Sequence, residues 1–299
     1  MELHQLRYAV AVADTGNFTR AAERSHVTQP SLSQQILNLE REIGHKLFHR
    51  LGRKAVLTEA GAVFLERARR ILIEVENASK ELGDSPGLDR RIAVGAVQTV
   101  MPYFVVPLIA RCRETLPNLT IAAREGFRRD LVSAVVEGEL DLAIVPLPFD
   151  DSRVATEHLL TEPLLLVVGN GHRFAKRPEI SLGDLAGETF IAMGGGSTIA
   201  EQIRDFFGGH NFAPKVGFRC AQVATLKYLI SLGLGISILP QMTQQEDDRG
   251  TLTYLRLTGD SPPTREIGVI RHLQRYQSRG AEQFLTALRA HAAGTAGTK

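Results

Sequence analysis

Four stretches of this chain concentrate side chains capable of recognition chemistry. Gln29, Ser31, Ser33, Gln34 and Asn38 bring amides and hydroxyls close together in sequence, and such groups hydrogen-bond to base edges or phosphates. Residues 46–57 read KLFHRLGRKAVL, two apolar runs around a Gly52 turn that carries Arg50, Arg53 and Lys54. A basic wing of this kind lies along phosphates or places an arginine in the minor groove, so its contribution to affinity depends on salt. Far downstream, Gln98-Thr99 and Gly194-Gly195-Gly196-Ser197-Thr198 each end one strand-like run and open a helix-like one. Free N–H groups at a helix N-terminus, with hydroxyls or amides beside them, attract a carboxylate or a similar anion. N-capping with glycines for close packing explains either turn alone, whereas two such turns facing one cleft would clamp an anion.

The elements that position these groups follow from periodicity. Apolar residues within Leu3 to Val12 recur at helical spacing, and a second helix follows with Thr19 as its expected N-cap. Thr28 then caps a third helix with Pro30 in its first turn and Leu32, Ile36, Leu39 and Ile43 on one stripe. Two short helices with a tight connection, the second polar opposite its apolar stripe, predict a helix-turn-helix whose second member enters the major groove. Polar residues on any surface helix look alike, and it is the basic wing that favours the DNA reading. A long helix begins after Thr58, with Glu59 in its first turn. Phe64, Ala68, Ile71, Val75, Ala78 and Leu82 step by 4, 3, 4, 3 and 4, a heptad seam that pairs with another helix. Packing against its own domain is the competing account, because the seam is short for a coiled coil. A dimer would contact two half-sites.

Gly83, Asp84, Ser85, Pro86 and Gly87 form a breaker cluster, which places a hinge there. Beyond it strand and helix alternate: Ile92 to Val97, Val100 to Thr115, Leu119 to Ala123, Leu131 to Glu137, and Leu142 to Val145 before Pro146. The order returns from Phe190 to Pro240, and this alternation predicts parallel sheets covered on both faces. Two similar α/β lobes are expected, joined by crossing strands at Leu164 to Val168 and Glu266 to Ile270, with a ligand cleft between them. The expected divisions are 1–58 for DNA binding, 59–88 for a dimerising linker helix and hinge, and 89–299 for the lobes. Lobe one takes about 89–163 and 267–299, and lobe two about 164–266. The tail from His291 to Lys299 is small and polar and is expected to be disordered.

Composition bounds the function classes. The 299 residues suit two or three domains, and 43 % hydrophobic with 23 % charged residues excludes whole-chain disorder and fibrous classes. Two cysteines, Cys112 and Cys220, give no disulfide framework; with no apolar h-region and no run of about 20 apolar residues, a cytoplasmic protein without membrane contact is expected. The net charge is +2, yet residues 1–58 hold eight Lys and Arg against five acids, and four of the nine histidines. The run GGGST at Gly194 to Thr198 lacks both the P-loop Lys and the flanking glycine of a nucleophile elbow, and His45 and His49 have no acidic third ligand nearby. No enzyme and no cofactor is expected. A binding protein or enzyme without DNA recognition, the alternative of another class, would leave Arg50, Arg53 and Lys54 idle.

The first 65 residues resemble LysR-type bacterial transcriptional regulators. The matching residues are Asn17-Phe18-Thr19-Arg20-Ala21-Ala22, Val27 to Ile36, Leu39-Glu40, Gly44, Leu47-Phe48, Arg50 and Leu57 to Gly61. The likeness implies an α+β multidomain chain: an N-terminal all-α winged helix-turn-helix with a long linker helix, then a two-lobed α/β effector domain similar to periplasmic binding proteins. It implies that Thr19, Arg20, Gln29, Pro30, Ser31, Ser33, Gln34 and Asn38 approach DNA, and that Arg50, Arg53 and Lys54 serve the wing. Gln98, Thr99, Ser197 and Thr198 would line the effector cleft, with Phe127 and Pro146 as walls. Implied partners are double-stranded promoter DNA, a small and often acidic or aromatic effector, RNA polymerase, and further copies in a homodimer or a homotetramer built as a dimer of dimers. One branch of this family senses peroxide through a cysteine near the first helix of lobe two. Here Thr198 stands where that thiol is sought, so Cys112 and Cys220 read as ordinary buried cysteines, with a thiol-based peroxide response as the alternative.

Overall fold

The computed structural model describes residues 1–52, 54–84, 90–259 and 262–296, and its packing divides into two compact units, Met1–Ser85 with Gln274–Tyr276 and Pro86–Leu273 with Gln277–Lys299. Arg53, Ser85, Pro86 and Gly87 lie outside the described residues.

In the first unit, helices α1 (Leu3–Thr15), α2 (Phe18–Arg24) and α3 (Gln29–Ile43) precede strands β1 (Phe48–Leu51) and β2 (Lys54–Leu57) and helix α4 (Glu59–Gly83). Asn17, not Thr19, caps α2: its side chain accepts from the N–H groups of Thr19 at 2.8 Å and Arg20 at 3.1 Å. Thr28 caps α3 as expected, and Gly44, at φ +73°, ends it in the left-handed conformation that glycine adopts without strain. Because β1 and β2 pair antiparallel, the unit is not all-α: the wing is a two-stranded ribbon. Leu32, Ile36 and Leu39 from α3 meet Val12, Ala22, Leu47 and Leu65 in one core, which fixes the face that α3 leaves outward.

The second unit runs β3 (Arg90–Val97), a π-helical turn at Met101–Val105, α5 (Val106–Thr115), β4 (Leu119–Gly126), α6 (Arg128–Glu137), β5 (Leu142–Leu147), β6 (Val154–Gly169), β7 (Ile180–Ser181), β8 (Thr189–Met193), α7 (Thr198–Gly209), β9 (Lys215–Cys220), α8 (Val223–Ser231), β10 (Ser237–Pro240), β11 (Leu252–Leu255), β12 (Leu257–Thr258), β13 (Thr264–His272) and α9 (Arg279–Ala296). The main sheet has the order β10-β6-β13-β5-β3-β4, with β11 on the free flank of β6. Purely parallel sheets were expected from the alternation; the sheet is mixed, since β3, β4 and β5 are parallel while β13 runs antiparallel to both β5 and β6. Crossing strands that leave one lobe and return must pair antiparallel, which strand-helix alternation does not reveal.

Strand β6 explains the two-lobed form. Its first half pairs with β13, and its second half, Leu164 to Gly169, is flanked by β10 and β11, so a single strand of 16 residues serves both lobes. Each lobe has its own core, one around Val94, Ile144, Ile270 and Phe284 and the other around Leu166, Phe174, Ile191 and Ile238. The tail expected to be disordered is helical through Ala296, because Phe284, Leu288 and Ala292 bury one face of α9 in the first core. No helix among the described residues is long and apolar enough to cross a membrane.

Candidate functional site

In the first unit, the outward face of α3 presents Gln29, Pro30, Ser31 and Gln34, all exposed, with Asn38 half-buried. Gln34 donates to Asn38 Oδ1 at 3.0 Å, which pre-orders two amides four residues apart. Ser33 does not belong to this face. It is 8 % exposed and its hydroxyl accepts from Gln29 Nε2 at 2.8 Å, so it positions Gln29. The helical wheel explains the misassignment: Ser33 follows Leu32 and falls on the flank of the apolar stripe. Leu37, exposed on the same helix, was not singled out by its type, although a methyl-bearing side chain beside amides suits a thymine methyl. Thr19 and Arg20 are exposed at the start of α2.

The wing is braced from below. Glu40 of α3 accepts from the N–H groups of Leu47 at 2.7 Å and Phe48 at 3.2 Å, and the Arg50 guanidinium lies 4.4 Å over the Phe18 ring. Arg50 and Lys54 are exposed; Arg53 lies outside the described residues.

The heptad seam divides. Ala68 is buried and Phe64 packs partly into the unit's own core, as the competing account foresaw, while Ile71, Ala78 and Leu82 are exposed and Val75 is half-buried. Gly61 sets the approach of α4: a Cβ there would lie 2.1 Å from the Leu47 carbonyl oxygen.

In the second unit, Gln98, Thr99, Phe127, Pro146, Ser197 and Thr198 come together around one small cavity, drawn from the ends of β3, β4 and β5 and the starts of α6 and α7. Its free volume is about 10 Å³, the room of a single water. Ser197 is the N-cap residue of α7, yet its side chain makes no cap hydrogen bond, so its hydroxyl is not spent on the helix. Gly196, at φ +85°, makes the turn before it.

Contacts across the lobes close this cavity. Arg128 of lobe one, held by the carbonyls of Pro146 and Pro148 in its own lobe, reaches Glu201 of lobe two at 3.7 Å, and Gln202 of lobe two donates to the Leu147 carbonyl at 3.4 Å. These are long, partly exposed contacts of the kind that stabilise by about a kcal/mol or less.

Beneath the cavity lies a pair that sequence reasoning missed. Arg265 and Glu162 are direct partners across β13 and β6, both buried, with Arg265 Nε donating to Glu162 Oε1 at 2.8 Å. Arg265 Nη1 donates to Thr99 Oγ1 at 2.7 Å, and Glu162 Oε2 accepts from the Met242 N–H at 2.7 Å. Since Thr99 Oγ1 accepts here, its own O–H remains to donate. Burial lowers the guanidinium pKa and Glu162 opposes that shift, which leaves the charge in place. A charged residue inside each apolar crossing strand, opposite in sign, was the available signal.

Cys112 lies in the core of the first lobe and Cys220 in that of the second, and burial raises both thiols above their ordinary pKa. Among the described residues no group of three His, Cys, Asp or Glu is placed to hold a metal.

Residues 3–62 match the bacterial regulatory helix-turn-helix protein, lysR family, and residues 85–293 match the LysR substrate binding domain. The DNA-binding transcriptional dual regulator OxyR of Escherichia coli K12 is 31 % identical over 297 residues, 98 % of this chain and 97 % of that one. The HTH-type transcriptional activator CmpR of Synechocystis is 30 % identical, covering 97 % and 95 %. Among solved structures, a full-length OxyR variant from Pseudomonas aeruginosa superposes with a TM-score of 0.68 at 26 % identity, over 97 % of this chain and 98 % of that one. A braced recognition helix and wing in one unit, a two-lobed cleft in the other and matches spanning both show that this chain belongs to the LysR family of DNA-binding transcriptional regulators, with an effector-binding domain.

Proposed function

We propose that a small organic carboxylate, entering between the lobes, switches the promoter activity of this regulator. The observation that carries this reading is the convergence of hydroxyl and amide side chains from both lobes on one cavity, with Ser197 uncapped and Thr99 left by Arg265 as a donor. A carboxylate accepts from such donors, and Arg128, released from its weak contact with Glu201, supplies a countercharge. With room for one water in the closed cavity, an effector enters by parting the lobes, and its differential affinity for the parted arrangement is what shifts the protein. The low-lying response of a thiol is a poorer account, since both cysteines are buried with raised pKa and Thr198 occupies the turn.

Residues 1–58 read DNA through Gln29, Pro30, Ser31, Gln34 and Asn38, with Thr19, Arg20, Arg50, Arg53 and Lys54 on phosphates and the minor groove. Residues 59–88 join two copies through Ile71, Val75, Ala78 and Leu82, and residues 89–299 hold the effector. The protein acts in the cytoplasm as a dimer or a tetramer of paired dimers, contacts RNA polymerase, and performs no catalysis of its own.

A thermal-shift series of aliphatic and aromatic carboxylates on the full-length protein tests this, with hydrogen peroxide as the comparison. A ligand of the native state raises the midpoint by mass action, and Thr99→Val with Thr198→Val abolishes the shift. A response to peroxide alone that a Cys112 or Cys220 substitution removes would replace this reading with the redox one.

A further inference from the structure

Lobe two contains a second, larger cavity that the cleft does not use. It has about 420 Å³ of free volume, within the range of small-molecule sites, and lies between α7 and strands β8 and β9. Met193, Ile203, Phe207 and Phe212 form apolar walls; the Phe207 and Phe212 rings stand 4.9 Å apart. The space persists because residues along its edge contribute little to fill it: Ala200 has one methyl, and Gly195 and Gly208 have no side chain, with nothing within 4 Å of a Cβ built at either.

Its polar lining is mainly cationic. Arg204 and Arg219 both line the cavity and are exposed, and among the described residues neither has an ion-pair or hydrogen-bond partner. Glu201 is the acid there, and its carboxylate faces Arg128 across the cleft. An apolar chamber with two uncommitted guanidinium groups matches a ligand with an apolar body and one anionic head.

The geometry points to a second ligand site in lobe two that binds amphipathic monoanions, fatty or aryl carboxylates, with the tail between α7 and β8 and the head on Arg204 and Arg219. This site is separate from the interlobe cavity, though Ser197 lines both, so occupancy of one bears on the other through the first turn of α7.

The test is calorimetric titration of the full-length protein with decanoate below its micellar range, with decanol as the uncharged comparison. Decanoate is expected to bind once per chain and decanol at least tenfold more weakly. Arg204→Glu with Arg219→Glu, both at exposed positions, reduces decanoate affinity at least tenfold with an unchanged melting curve. Ala200→Phe, which occupies the chamber without altering charge, reduces binding of both probes. Thr99→Val with Thr198→Val leaves decanoate affinity within twofold. Absence of saturable binding, equal affinity in the charge-reversed variant, or loss of binding in the cleft variant would overturn the assignment.

Discussion

Replacing Arg265 by Met tests whether the buried pair holds the crossing strands together. The side chain of Arg265 is fully buried and that of Glu162 is 8 % exposed, so screening by water is small. Removing the guanidinium leaves Glu162 with the Met242 N–H as its remaining hydrogen bond and Thr99 Oγ1 without its donor. An uncompensated buried charge costs about 3–5 kcal/mol. With a urea m-value of about 3 kcal/mol/M, the upper end for small proteins, the midpoint falls by roughly 1–1.7 M. Glu162→Gln, which leaves the cation uncompensated instead, has an effect of similar size. The double variant leaves no unpaired charge and recovers part of the loss, a coupling of about 2–3 kcal/mol of the kind found for residues in one network. Urea unfolding of the wild type, both single variants and the double variant closes the cycle. A single variant within 1 kcal/mol of wild type, or additive losses, would refute the argument.

Gln34→Ala, at an exposed side chain that donates to Asn38, should cost about 1–3 kcal/mol of discrimination at one operator position with non-specific affinity unchanged, as read by competition binding against mutated operators. Gly61→Ala drives a methyl into the Leu47 carbonyl and should destabilise the first unit by about 1–3 kcal/mol or more, measured by thermal unfolding; an unchanged midpoint would mean that α4 sits farther from the wing. Ile71→Glu with Leu82→Glu should weaken self-association about tenfold or more per side chain, because each removes an apolar contact of about 1.5–3 kcal/mol, and sedimentation reads the result. Burial, then Arg111, lowers the pKa of His291 beside Phe104. The unfolded chain therefore takes up this proton first, and stability that is full above about pH 6.5 declines as pH falls below it. Denaturation midpoints at pH 8 and pH 5.5 should differ less in His291→Phe than in wild type.

What was legible in the sequence depended on repeated spacing. The stripe of Leu32, Ile36 and Leu39 placed α3, and the returning strand-helix order placed Gln98-Thr99 and Ser197-Thr198 at equivalent turns, which meet at one cavity; Phe127 and Pro146, which line it too, followed from the family likeness and not from spacing. Features that depend on which distant strands pair were not legible. The antiparallel return of β13, the Arg265–Glu162 pair and the Arg128–Glu201 contact arise from tertiary pairing between segments about 70 to 170 residues apart, where local periodicity carries no register. Ser33, Phe64 and Ala68 were misplaced for a smaller reason: positions at the margin of an apolar stripe turn inward or outward according to what packs beside them, which spacing alone does not name. The last turns of α9 escaped because the small and polar residues from His291 to Ala296 gave no apolar signal beyond Ala292, which anchors the helix in the core.

The continuity of β6 also makes the two lobes share one register. Losing or gaining one residue in the stretch that serves both lobes would turn every following side chain to the opposite face of the sheet, and would break its ladders with β10, β11 and β13 together. A change in the length of this crossing is therefore felt by both lobes at once. The turns after β3 and β8 carry no such ladder at their tips, so a single side chain can be exchanged there while the frame around it keeps its dimensions.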